Sequence, residues 1–114
     1  MNIDALRALC RTLPNTREDV KLESDLCFSV DGKIFCLAAD DVEGGVSFKV
    51  KEEEFRDMTH DREGVIPAPY MARFKWVYVL DYPWLSDAEW VHYVTQSYEL
   101  VKAEKPQNNL VEGG

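Results

Sequence analysis

The chain has 114 residues, 46% of them hydrophobic, which suffices for one ordinary core and leaves no room for a second domain. Thirteen Lys and Arg against 21 Asp and Glu give a formal charge of −8, which argues against a surface that holds nucleic acid mainly by counterion release. No stretch approaches the ~18 uncharged apolar residues of a membrane span, and Asp4 and Arg7 stand where a leader would be apolar. The expectation is a cytoplasmic protein with no membrane contact, one domain over residues 1 to 106 and a flexible tail over 107 to 114.

Asn2 is placed to cap a first helix, about residues 3 to 13, with Ile3, Leu6, Leu9, Cys10 and Leu13 at helical spacing. Pro14-Asn15 ends it, because proline disfavours helix in the residue before it. Residues 17 to 23 alternate as a half-exposed strand whose charges suit a sheet edge. Leu26 to Val30, then Asp31-Gly32, then Lys33 to Leu37 reads as a hairpin, since Asp-Gly supplies the positive φ of a tight type I′ turn. An acidic loop over 40 to 45 leads to a third alternating run, Val46 to Val50, with Val46, Phe48 and Val50 inward. These make an antiparallel meander of three to four strands.

Lys51 to His60 reads as a short helix: Glu52, Glu53 and Glu54 suit the positive end of its dipole, and Phe55 with Met58 gives a narrow apolar contact. Its charged remainder is read as a solvated face. Val65 to Tyr70 holds two prolines and is extended or irregular, excluded from an interior strand. Ala72 to Leu80 is expected as a strand that turns Phe74, Trp76, Tyr78 and Leu80 to the core and leaves Arg73 and Lys75 on the other face. Asp81 to Trp84 turns the chain, and Ser86 with Glu89 forms a capping box opening the longest helix, 87 to 104. Its stripe of Trp90, Val91, Val94, Ser97, Tyr98 and Val101 is expected to lie on the sheet and to pack Trp76 through Trp90 and Val94; Pro106 closes it.

Chemistry-bearing patterns are sparse. Cys10, Cys27 and Cys36 are an odd count with no C-x-x-C pair, so they read as reduced, buried small hydrophobes. His60 and His92 lack a second ligand at metal spacing; His60 reads as a cation near a helix C-terminus. No nucleophile elbow or glycine-rich phosphate cradle occurs, so no cofactor, metal or catalytic residue is assigned and the domain is read as non-enzymatic. Tyr70, Tyr82 and Trp84, in proline-bearing loops, are candidates for contact with a partner.

Several pieces, in order, resemble the MmcQ/YjbR family of small bacterial proteins: Leu13-Pro14 with Glu18; Gly32 to Phe35; Val46 to Val50; Val65 to Pro67 leading to Tyr70 to Trp76; and Gln96 to Val101. The resemblance implies an α+β fold of secretion-chaperone-like form, an antiparallel sheet flanked by an N-terminal, a short middle and a long C-terminal helix. It also implies a DNA-binding role described as a double wing. In such a wing Lys33, Lys49, Arg73 and Lys75 are the candidate phosphate contacts, giving weak binding to duplex DNA in view of the net charge. The alternatives are a protein-interaction module, homodimeric as similar folds are, using Tyr70, Tyr82 and Trp84, and, third, a small enzyme whose site carries no recognisable motif.

Overall fold

The computed structural model describes residues 1–21, 25–39 and 44–104. The elements run α1 (Ile3–Thr12), β1 (Thr16–Lys21), β2 (Asp25–Val30), β3 (Lys33–Ala39), β4 (Val46–Lys49), α2 (Glu52–Asp61), β5 (Val65–Pro67), β6 (Trp76–Val79) and α3 (Asp87–Lys102). The six strands form one antiparallel sheet in the order β1-β2-β3-β4-β6-β5. The meander is the expected one, with β1 at one edge and the proline-bearing β5 at the other. Both edges suit their residues, since charges and a missing N–H are tolerated where no further strand pairs.

Register can be read straight across the sheet. Glu18, Phe28, Cys36, Phe48, Val77 and Pro67 are successive partners, and so are Asp19, Cys27, Leu37, Ser47, Tyr78 and Ile66. The first row faces the helices: Phe28, Cys36, Phe48 and Val77 join a buried cluster with Leu6 and Cys10 of α1, Met58 of α2 and Trp90, Val94, Tyr98 and Val101 of α3. Helix α3 lies over β3, β4 and the flank of β2, α2 over β5 and β6, and α1 beside β1, which gives two layers.

Local signals account for most boundaries. Asn2 Oδ1 accepts the Ala5 amide at 2.8 Å to cap α1. At α3 the Ser86–Glu89 box is closed in both directions, at 2.9 and 3.1 Å. Asp31 and Gly32 have φ of 51° and 81°, as a type I′ turn requires. Gly64, at φ 81°, is required twice over, because a Cβ there would lie 2.1 Å from the Trp84 indole.

The segment 72 to 80 departs from expectation. Ala72–Phe74 is a 3-10 turn, closed by the Lys75 amide on the Ala72 carbonyl, and the strand starts only at Trp76. Tyr70 and Lys75, at φ 66° and 68°, break the extended run on either side. The inward parity is also reversed: Val77 and Val79 face the helix layer, whereas Phe74 and Leu80 are exposed. Apolar residues at almost every position from 76 to 80 leave parity undetermined by alternation, and pairing with Phe48 and Val46 of β4 decides it. Trp76 is buried as expected, but outside the cluster that holds Trp90 and Val94; Trp90 packs edge-to-face on Phe48 instead, with centroids 6.0 Å apart. Val91, expected on the buried stripe, is 47% exposed. Pro106, the tail and most of the acidic loop lie outside the described residues.

Candidate functional site

One junction ties α3 to the sheet. β3 carries a bulge: Phe28 pairs with Cys36 and Ser29 with Ile34, so Phe35 is the extra residue. The bulge lets Phe35 and Cys36 both face the helix layer. It also removes the Phe35 carbonyl from the ladder, and the fully buried Ser97 hydroxyl donates to it at 2.6 Å. Ser97 Oγ in turn accepts the Lys49 amide at 2.9 Å. Next to it the Tyr98 hydroxyl donates to the Pro14 carbonyl at 2.7 Å, and its ring meets Phe35 edge-to-face at 5.5 Å. Pro14, Phe35, Lys49, Ser97 and Tyr98, which carry much of the family resemblance, thus bond to one another and build the scaffold.

A second junction joins the end of α2 to the start of α3. Arg62 meets Glu89 through two hydrogen bonds, at 2.6 and 3.1 Å, and reaches the Trp84 carbonyl at 3.3 Å. Arg62, with the Ser86 amide, holds the Glu89 carboxyl down at about 2. Of the three aromatic candidates, Tyr82 is built into this region: its ring packs on Trp90 at 5.3 Å and its carbonyl accepts the Trp90 indole N–H at 2.9 Å. Trp84 is 41% exposed and covers Gly64.

Tyr70 is different, being 99% exposed at the tip of the turn from 68 to 75. Backbone bonds within the turn run from Met71 N to Ala68 O, Phe74 N to Met71 O and Lys75 N to Ala72 O, and the Lys49 ammonium anchors it through the Phe74 carbonyl. Phe74, 49% exposed, lies beneath the Arg73 guanidinium at 4.8 Å. An aromatic, arginine-bearing tip therefore projects beyond the sheet.

The four basic candidates fall in different settings. Lys33 Nζ donates to the Glu104 carbonyl at 2.6 Å, two residues past the end of α3. Lys49 Nζ donates to the Phe74 carbonyl at 2.9 Å and lies 3.2 Å from the Glu104 carboxylate. These two share a groove with Met71, Phe74 and Trp76, and Glu104 lines it as well. Lys75 points elsewhere, over the Phe55 ring at 5.3 Å, into a groove lined also by Arg56, Thr59 and His60. Arg56 was not singled out by the sequence, and His60 was read only as a cation near a helix end, although Glu52, Arg56 and His60 recur every four residues and share one face of α2. Cys10, Cys27 and Cys36 are buried and form no disulfide, and Cys10 and burial together push the Cys36 thiol up.

Comparison with known proteins supports the scaffold. The YjbR family model matches residues 11–100. No curated protein matches the chain. Among solved structures, a Deinococcus radiodurans protein described as a DUF419 domain superposes with a TM-score of 0.80 at 21% identity, covering 97% of this chain and 86% of that one. A protein from Pseudomonas syringae superposes at 0.72 and 20% identity, covering 89% of this chain and 99% of its own. No helix among the described residues is long and apolar enough to cross a membrane. With the match spanning the α1 end, the whole sheet and most of α3, the chain belongs to the YjbR family.

Proposed function

We propose that the chain is a non-enzymatic binding domain that meets a protein partner through the turn from 68 to 75. The observation that carries this reading is Tyr70. A bulky side chain in the left-handed region costs on the order of 1 kcal/mol, and glycine or asparagine is the ordinary occupant. Tyr70 holds that conformation with a side chain exposed to water over 99% of its surface, so no packing within the chain offsets the cost. A strained, solvated aromatic is a contact in waiting. Phe74 and Arg73 beside it extend the patch with the residue types enriched in interface centres.

Duplex DNA is the second reading, favoured by Arg73 and Lys75, which make ring contacts and no ion pair among the described residues. With Lys33 and Lys49 committed to Glu104 and backbone carbonyls, about two phosphates are within the capacity of this surface, which gives a slope of log K against log salt near −2.

A photoreactive side chain placed at position 70, with position 20 on the far edge strand as control, separates the readings. Irradiation in native lysate is expected to give a discrete adduct at position 70 only, unchanged by nuclease. An adduct removed by nuclease assigns the surface to nucleic acid. The same adducts at positions 70 and 20 would show the turn to have no special role.

A further inference from the structure

We propose that the groove on the outer face of α2, formed by Phe55, Arg56, Thr59, His60 and Lys75, is a binding site for a phosphate dianion, free or carried as the monoester of a small molecule. It has a volume of about 470 Å³, within the range of small-molecule sites. The charge arrangement points to its ligand. In a chain with 21 acidic residues, basic groups readily find carboxylates, and Arg7, Arg11, Arg17, Lys49 and Arg62 each do. Arg56 and Lys75 have no ion pair among the described residues, although both line the same groove as Glu52. Two permanent cations and an imidazole outnumber the single carboxylate of Glu52 in the groove, and guanidinium, ammonium and imidazole donors can engage the several oxygens of a phosphate where a monocarboxylate offers only two.

Backbone geometry fixes the arrangement. Lys75 has φ 68°, which directs its chain back over Phe55, where the ring holds the ammonium 5.3 Å from its centroid. Arg56 and His60 stand one helical turn apart on α2 and so meet the ligand from the same side. Glu52 lines the groove too and opposes the anion, which places the affinity in the weak range typical of exposed phosphate sites. The groove takes Lys75 from the turn that carries Tyr70 but uses none of Tyr70, Arg73 or Phe74, so its chemistry does not depend on the partner reading.

The test is a titration of the full chain with inorganic phosphate at low ionic strength, followed by amide NMR shifts, with acetate at matched ionic strength as control. Saturable shifts confined to residues 55–60 and 75 are expected with phosphate and not with acetate. Arg56→Gln and Lys75→Asn should each weaken the midpoint at least 5-fold while keeping native dispersion; asparagine tolerates the left-handed backbone at 75. Arg17→Ala, on the opposite edge strand, and Tyr70→Gly should leave the titration unchanged. Absence of saturable shifts up to ~50 mM phosphate, at which the ionic strength of about 0.1 M approaches that of physiological salt, would overturn the proposal. So would an equal response to acetate, or shifts that persist in both groove variants. Saturation by duplex DNA at these residues without saturation by phosphate would transfer the groove to the nucleic-acid reading and overturn it as well.

Discussion

Ser97 shows how much one small residue settles. Its hydroxyl joins the bulged Phe35 carbonyl to the Lys49 amide from the middle of α3, in a site closed to water. Replacement by alanine leaves a buried donor and a buried acceptor unmet, each of which costs ~1–3 kcal/mol. Ser97→Ala should therefore lose roughly 2–4 kcal/mol in urea unfolding with little change in m-value. A loss below about 0.5 kcal/mol would mean that the bulge is satisfied some other way. The sequence placed Ser97 on the buried stripe but was silent on its partners, because Phe35 lies 62 residues away and a bulge leaves no local signature. Comparable separations along the chain hid the ties from Lys33 and Lys49 to Glu104. Residues separated that far are brought together by topology, and charge type alone made these lysines look free.

At the scale of elements, caps and turns were legible because their chemistry is local: Asn2, Asp31-Gly32 and the Ser86–Glu89 box each act within a few residues. The strand from 72 to 80 was not, since positive φ at Tyr70 and Lys75 is unusual for those residue types and cannot be read from their identity. The joint between α2 and α3 gives a pH prediction. Glu89 has a folded value of about 2, below the ordinary carboxyl value of 4.5. Its contribution is thus fully present above pH ~4.5 and is lost as pH falls toward and through 2. Both partners are about one-third exposed, so solvent screening keeps this near ~1 kcal/mol or less. Unfolding free energy of Glu89→Gln should be lower than wild type at pH 6 and converge with it near pH 2. A difference that stays constant across this range would assign the joint to packing and not to the charge pair.

For the whole molecule, fold class, the meander and the helix layer followed from periodicity and the family resemblance, while the order β4-β6-β5 was set by long-range pairing. The candidate site was legible only in part. Tyr70 was visible as an aromatic in a proline loop; that it stands wholly in water on a strained backbone was not. That contrast is the centre of the proposed function, which reads a costly conformation that no packing offsets as a contact for a partner. The most direct measurement is the unfolding free energy of Tyr70→Gly. Glycine removes the left-handed strain and takes away no buried contact, so stability should be unchanged or rise by up to ~1 kcal/mol. A loss of more than about 1 kcal/mol would show that the tyrosine side chain supports the fold, and the case for a partner contact at this turn would fail.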